Sequence, residues 1–178
     1  METSQTDLRY PIGEQPELPH EALSNAERAT YIRQIAELPA QLTAAARRVG
    51  GIRLLEPYRP GGWNGRQVIH HLADSHLNSY TRFKLALTED NPTICPYDEQ
   101  AWAELPDVAA TPITVSLALL DALHTRWTNL LSHLGDAQWQ RPFYHPGSKR
   151  TFTLDQALVL YAWHGRHHLA HVESLHQE

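Results

Sequence analysis

The chain has 178 residues, of which 42% are hydrophobic and 20% charged, so it is long enough to bury the core of one domain. Its formal net charge of −5 and its pI near 6.2 argue against nucleic acid as a partner, because phosphate binding needs a concentrated basic surface. Its single cysteine, Cys95, excludes an intrachain disulfide and a zinc site built from cysteine pairs. The sequence shows no signal peptide and no apolar run near the ~20 residues of a membrane span, so we expect a cytoplasmic protein.

The N-terminal third predicts an irregular arm followed by one long helix. Residues 1–20 contain prolines at positions 11, 16 and 19, which prevent a continuous helix. The first helix is predicted from Ser24, which forms a capping-box pattern with Glu27, to about Val49. Pro39 predicts a kink in this helix, and the paired glycines that follow Val49 end it.

A second helix is predicted from Asn64, with Gln67 completing a capping box, to about Thr88. On its helical wheel His76 lies near the middle of the apolar side and His71 at the rim, so spacing alone favours His76 as a functional residue. A polar seam runs beside the apolar side and could line a cleft or form a solvated edge, and spacing does not decide between the two. It consists of His71, Ser75, Asn78 and Arg82.

The second half of the chain predicts two more long helices. Residues 89–110 form a long connection with a short helical piece, and long loops of this kind often act as lids over sites. The third helix runs from Thr111 to Gly135, residues 136–152 predict turns with a small hairpin, and the fourth helix begins at Thr153. Four amphipathic helices predict an all-α, single-domain four-helix bundle over residues 1–178, in which metal sites are built from facing helices.

The fourth helix carries the strongest functional signal. His164 and His168 are four residues apart, so they project from one helix face, and that face is otherwise apolar. Two histidines that face a core need partners, because an unpaired buried polar group costs about 1–3 kcal/mol, and a shared metal ion would satisfy both. The wheel places the following residues on the opposite, solvated face: Asp155, Arg166, Glu173 and Gln177.

Two motifs identify a family. The run Gly61-Gly62-Trp63-Asn64-Gly65-Arg66-Gln67-Val68-Ile69-His70-His71-Leu72-Ala73-Asp74-Ser75, with Trp163-His164-Gly165-Arg166-His167-His168 later in the chain, resembles the DinB superfamily and most closely its YfiT-like branch. The resemblance implies an up-down four-helix bundle with one metal-binding histidine on the second helix and an H-x-x-x-H pair on the fourth. Carried onto this sequence, the metal ligands are His71, His164 and His168, which selects His71 over His76.

The resemblance also implies an activity. Members of this branch are considered metal-dependent hydrolases, relatives are thiol S-transferases that use bacillithiol or mycothiol, and homodimers recur among them. Three neutral imidazoles leave a position open for water or a small-molecule substrate, as in catalytic zinc sites, although nickel or iron would also suit the ligands. We therefore expect a zinc-dependent hydrolase, with an S-transferase or a non-catalytic metal-binding stress protein as alternatives.

A general base is not evident from the spacing. In H-E-x-x-H proteases the glutamate after the first histidine takes that role, but this chain has Gly165 there. Asp74 could orient a histidine, and His145 in the turn-rich segment could reach the site. Arg82 and Tyr161 could contact an anionic group of the substrate, or could instead form a structural ion pair and pack in the core.

Overall fold

Helices dominate the computed structural model, which describes residues 7–176. In chain order the elements are α1 (Asn25–Val49), a 3-10 turn (Arg53–Leu55), α2 (Gly65–Thr88), α3 (Glu99–Ala103), α4 (Pro106–Ala110), α5 (Ile113–Ser132), α6 (Asp136–Trp139), β1 (Pro142–His145), β2 (Arg150–Thr153) and α7 (Leu154–Ser174). The antiparallel hairpin β1–β2 occupies the segment where a hairpin was predicted. The predicted four-helix bundle is therefore confirmed, with α1, α2, α5 and α7 as its long helices.

The predicted helix starts are confirmed by their capping contacts. The side chains of Ser24, Asn64 and Thr153 each accept a hydrogen bond from the backbone N–H three residues later, and each start forms a full capping box. The bounds of one helix differ from the prediction, since α5 runs from Ile113 to Ser132 rather than from Thr111 to Gly135. Helix α1 continues through Pro39 to Val49, as predicted, and the side chain of Pro39 is buried.

The N-terminal arm is irregular, as predicted, and it is attached to both ends of α7. Residues 7–24 form neither helix nor strand, and residues 1–6 of the predicted arm lie outside the described part. Gln156 Nε2 donates a 2.9 Å hydrogen bond to the carbonyl of Pro19, near the start of α7. A ring nitrogen of His171 lies 3.1 Å from the carbonyl oxygen of Leu8, near its end. The arm thereby becomes part of the wall around the histidines of α7.

The long helices are arranged so that α2 and α7 are neighbours. Helix α1 packs against α5 and α7, and α2 packs against the same two helices, which puts α1 and α2 at opposite corners of the bundle. This order is possible because the connections between successive long helices are long enough to cross the bundle. Its consequence is that the histidines of α2 face those of α7.

The core contains unusually many histidines. Aromatic and aliphatic residues such as Phe83, Trp127 and Leu72 fill its centre, but six histidines are also less than 9% exposed. These are His70, His71, His76, His124, His167 and His171. Each needs hydrogen-bond partners, because an unsatisfied buried polar group is costly.

Among residues 7–176 no single helix is long and apolar enough to span a membrane. The segment of α3 and α4 passes the same test of length and composition only together with α5, and the two are bent by 116° relative to each other.

A buried ion pair fixes the start of α7 to α1. Arg28 donates from Nε and Nη2 to the two carboxylate oxygens of Asp155 at 2.8 and 2.9 Å, and the two residues are 4% and 1% exposed. Asp155 also accepts hydrogen bonds from the backbone N–H of Leu23 and from Gln140 Nε2. The wheel's placement of Asp155 on a solvated face was therefore wrong, because the arm and the α6 region cover that side of α7. Its assignments of Arg166 and Glu173 hold, and Gln177 lies outside the described residues.

Replacing Asp155 by Asn should lower the free energy of unfolding by about 3 kcal/mol, because it leaves the buried charge of Arg28 without its bidentate partner. Urea unfolding followed by circular dichroism, in chelator at pH 7, measures this. Glu173→Gln is the matched control, since its ion pair with Arg48 is 2.9 Å long but the two side chains are 48% and 50% exposed. Glu173→Gln should lower the free energy of unfolding by less than ~1 kcal/mol. Equal losses of unfolding free energy in the two variants would contradict a stabilising role for the buried pair of Arg28 and Asp155.

Candidate metal centre

His71 of α2 meets His164 and His168 of α7 at the floor of a cavity. The Nε2 atoms of His71 and His164 are 3.3 Å apart, and one ring nitrogen from each of the three residues lies within 4.8 Å of the others. Two nitrogens bound to one tetrahedral zinc ion at ~2.0–2.1 Å are separated by about 3.3 Å. The three histidines could therefore hold one metal ion with little movement.

Gly165 allows α7 to pack closely against α1 at this point. A Cβ atom at Gly165 would lie 2.6 Å from Leu38 Cδ2 and 3.4 Å from His76 Cε1, so a larger residue does not fit without shifting its neighbours. The position that carries the glutamate in H-E-x-x-H enzymes is thus packed against α1 and α2. No carboxylate can act from there.

Burial keeps the three imidazoles neutral. It lowers the pKa of His71 to about 4, and it lowers the pKa values of His164 and His168 well below the usual value, with further lowering by the neighbouring histidines. A neutral imidazole has a lone pair on one nitrogen, which is the form that binds a metal ion. At pH 7 the cluster is therefore ready to coordinate.

A chain of buried histidines orients His164. Its Nδ1 lies 3.3 Å from Nε2 of His76, and Nδ1 of His76 lies 2.8 Å from Nε2 of His124 on α5. The chain ends where Nδ1 of His124 lies 2.6 Å from the carbonyl oxygen of Ile35 on α1. We call this chain of His164, His76, His124 and the Ile35 carbonyl the long relay.

A shorter chain orients His168. Its Nδ1 lies 3.4 Å from Nδ1 of His171, and Nε2 of His171 lies 3.1 Å from the carbonyl oxygen of Leu8 in the arm. His171 also stacks on Tyr58, with ring centroids 4.0 Å apart, which fixes the plane of its imidazole. We call this chain the short relay.

The two carbonyls set the direction of every hydrogen bond in the relays. A carbonyl oxygen only accepts, so the histidine next to it donates its N–H there and offers its other nitrogen as an acceptor. In the same way each preceding histidine donates toward the carbonyl. This leaves Nε2 of both His164 and His168 with a free lone pair at the cavity floor. Relays of this kind fix the tautomer and the ring orientation of metal-binding histidines.

A second group of histidines shares one member with the first. His167, His168 and His171 also bring ring nitrogens within 4.8 Å of one another. However, both nitrogens of His171 are engaged in the short relay, and the ring of His167 stacks on Trp163 at 4.5 Å. The first group, which joins two helices and has its Nε2 lone pairs free, is the better candidate.

A cavity of about 460 Å³ lies above the histidines. Its walls come from the arm, from the loop before α2 and from the start of α3, where Trp63 Nε1 donates a 2.9 Å hydrogen bond to Gln100 Oε1. Residues 89–110, predicted as a long connection, thus contribute a wall through α3. Glu99 is the one carboxylate among the described residues that line this cavity. The volume suits a small molecule.

The four secondary candidate residues, Arg82, Tyr161, His145 and Asp74, lie in different surroundings. Arg82 donates from Nη1 to the hydroxyl of Tyr161 at 2.7 Å, and the Tyr161 ring is 6.0 Å from that of His164. His145 is half-buried, and burial together with the charge of Arg82 lowers its pKa. Asp74 makes no side-chain hydrogen bond to a histidine within the described part of the chain. Its pKa is raised to about 6 by burial and by Asp107.

A family model places the chain in a known class of proteins. The model that describes the DinB superfamily matches residues 21–172, so the chain belongs to the DinB superfamily. Within it, the chain is 52% identical over 169 residues to YfiT of Bacillus subtilis, named a "putative metal-dependent hydrolase", covering 95% of this chain and 94% of that protein. A Bacillus mycoides protein with the same description is 50% identical over 171 residues, with 96% of each chain covered.

A solved structure supports the same relationship. The structure of YfiT from Bacillus subtilis superposes with a TM-score of 0.90 at 52% identity, covering 94% of this chain and 95% of that one. It is described as a "probable metal-dependent hydrolase with an unusual four-helix bundle topology". The predicted resemblance to the YfiT-like branch is confirmed.

Breaking either relay should weaken metal binding. His76→Phe removes the acceptor for His164 Nδ1, and His171→Phe removes the acceptor for His168 Nδ1, so each should raise the zinc Kd about 10–100-fold. Competition with a chromophoric chelator measures the Kd. His20→Phe, in an exposed part of the arm, is the control and should leave it unchanged. Wild-type affinity in both relay variants would show that the relays do not position the ligands.

Asp74→Asn should stabilise the protein at pH 8 and have less effect at pH 4.5. The pKa of Asp74 in the folded state, about 6, lies above its unfolded value, so stability from its protonated form is lost as the pH rises through 6. Because the side chain is partly exposed, the gain at pH 8 should be about 1–2 kcal/mol. Thermal unfolding at the two pH values measures it. A loss of stability at pH 8 would instead indicate a favourable contact of the carboxylate.

Proposed function

We propose that this protein is a metal-dependent hydrolase of a small molecule, in which His71, His164 and His168 hold one divalent ion. The 3.3 Å separation between the Nε2 atoms of His71 and His164 is the observation that carries the proposal. Zinc suits three imidazoles best, and nickel and iron also accept them. The names of the relatives, which share about half of their residues with this chain, support the same activity.

Each part of the cavity has a role in this proposal. The three neutral imidazoles would hold the ion, which would act as a Lewis acid and lower the pKa of a bound water to ~7. The relays keep the imidazoles in the orientation that such an ion requires, and the 460 Å³ cavity admits the substrate. We assign the role of proton acceptor to Glu99, because it is the one carboxylate among the described residues that line the cavity and Gly165 leaves no room for a carboxylate beside His164.

A thiol S-transferase is the second candidate, and one observation favours it. No carboxylate forms a hydrogen bond or an ion pair with His71, His164 or His168 among residues 7–176, and Glu99 is exposed on the cavity wall. A thiol needs no such base, because coordination to zinc is enough to deprotonate it. A non-catalytic metal-binding protein is the remaining alternative. The proposal further includes a cytoplasmic homodimer with a small-molecule substrate and no nucleic-acid or membrane partner.

Elemental analysis of the purified protein should find about one equivalent of divalent metal per chain. His71→Ala, His164→Ala and His168→Ala should each lose it, because each removes one of three ligands. His167→Ala is the matched control, since His167 belongs only to the second histidine group, and it should keep the metal. Loss in His167→Ala with retention in His71→Ala would move the site to the second group. A wild-type protein that cannot be loaded with metal would contradict the proposal.

The two activities differ in their requirements. Hydrolysis should proceed without added thiol and should fall by about 10²–10⁴-fold in Glu99→Gln, as expected when a general base is removed. Transfer should require a low-molecular-weight thiol and be little changed by Glu99→Gln. A screen of esters and amides, and of thiols paired with electrophiles, measures both on the metal-loaded protein. Turnover in neither assay would leave the non-catalytic alternative.

A further inference from the structure

Arg82 is a buried cation that makes no ion pair within residues 7–176. The residue is 8% exposed, and its one hydrogen bond in that range is donated by Nη1 to the hydroxyl of Tyr161. Its Nε atom is fully buried and has no hydrogen-bond partner among the described residues. Burying a charge without a counter-charge costs several kcal/mol, so such an arrangement requires a reason.

The same fold contains a compensated example for comparison. Arg28 is 4% exposed, and it directs Nε and Nη2 at the two carboxylate oxygens of Asp155. In Arg82 the equivalent edge, Nε with Nη2, has no hydrogen-bond partner in the described part of the chain. This edge presents two parallel N–H groups, the geometry that binds a carboxylate in a bidentate manner. Arg28 thus has the bidentate carboxylate partner that Arg82 lacks among the described residues.

The groups around Arg82 do not provide the missing charge. Burial raises the pKa of Tyr97 to about 12, so that this neighbour stays neutral. His145 also stays neutral, because burial and then the charge of Arg82 lower its pKa. The hydroxyl of Tyr161 is already the acceptor for Nη1. Among residues 7–176 no side chain therefore supplies the counter-charge, and a bound anion would supply it.

Arg82 is connected to the histidines through Tyr161. Tyr161, which accepts the hydrogen bond from Arg82, is on α7 one turn before His164, and its ring packs edge-on against the His164 ring at 6.0 Å. On α2, Arg82 continues the polar seam that begins at His71 and passes through Ser75. A molecule that reaches both His164 and Arg82 would therefore be small.

We propose that Arg82, supported by Tyr161, binds a carboxylate of the substrate. The substrate is then a small carboxylic acid whose reactive bond lies at the histidines while its carboxylate lies on the Nε–Nη2 edge. A carboxylate fits better than a phosphate dianion, because its single charge is balanced by one guanidinium and its two oxygens match one edge. The position of the reactive bond rests on the proposed function, whereas the anion site itself does not.

A titration with butyrate tests the anion site without reference to the metal. The Nε–H resonance of Arg82 in the NMR spectrum of ¹³C,¹⁵N-labelled wild-type protein is assigned through its bonds to the side-chain carbons of Arg82. It should shift in a saturable manner as butyrate is added, while butyramide, the neutral analogue of the same length, leaves it in place. The absence of a shift would overturn the proposal, and this measurement on the wild type needs no folded variant. Inorganic phosphate that shifts the resonance more strongly than butyrate would also overturn the carboxylate assignment.

A second experiment tests whether one ligand can contact both the metal ion and Arg82. Hydroxamic acids bind catalytic zinc and cobalt, so acetohydroxamate reports on the metal, and hydroxamates with a terminal carboxylate on chains of increasing length report on Arg82 as well. On cobalt-loaded wild type, the best carboxylate should bind at least 10-fold more tightly than its terminal amide. In Arg82→Gln this advantage should fall below 2-fold while the Kd of acetohydroxamate is unchanged. Arg82→Lys should recover part of the advantage, because it restores the charge but not the edge.

Arg59 is the matched control, because it lines the cavity above the histidines and its buried Nε also lacks a hydrogen-bond partner among the described residues. Arg59→Gln should keep the full carboxylate advantage. Loss of the advantage in Arg59→Gln with retention in Arg82→Gln would overturn the assignment to Arg82. Failure of acetohydroxamate to bind wild type would contradict the proposed metal centre, and the butyrate titration would still decide the anion site.

Discussion

Burying an imidazole is costly unless its nitrogens find hydrogen-bond partners, and the geometry of the candidate metal centre depends on that constraint. Two histidines of α7 satisfy it through relays that end on the carbonyls of Ile35 and Leu8. Because a carbonyl only accepts, each relay has a single direction, and both deliver a free lone pair to the same point. The N-terminal arm and α5 are thus involved in the geometry of a site that they do not themselves enter.

The order of the helices makes this arrangement possible. Since α1 and α2 stand at opposite corners, both α2 and α1 border α7, one presenting His71 and the other the Ile35 carbonyl behind His124. Gly165 permits the close packing of α7 against Leu38 of α1, and the same packing excludes a carboxylate next to His164. In a hydrolase the proton acceptor would therefore be on another element, which in our proposal is α3. A thiol transferase would not need a proton acceptor.

Two buried arginines show how one fold uses the same side chain in different ways. Arg28 is paired with Asp155 and joins α1 to α7, and it does not line the cavity above the histidines. Among the described residues, Arg82 has only the hydroxyl of Tyr161 as a partner, and the Tyr161 ring packs against that of His164. A guanidinium that is buried at the cost of desolvation, but left without an anion, is suited to binding one from solution. We therefore assign a ligand to Arg82 and not to Arg28.

The sequence by itself determined the four long helices, the N-terminal caps of three of them and the pairing of His164 with His168, because these features depend on local hydrogen bonds and on the 3.6-residue period. That period favoured His76, which lies nearer the middle of the apolar side of α2 than His71 does, and family resemblance selected His71. Only the tertiary structure placed His76 behind His164 and His124 behind His76, since these residues are 88 and 48 positions apart in the chain. It also buried Asp155, because a helical wheel does not show which segments cover its outer face.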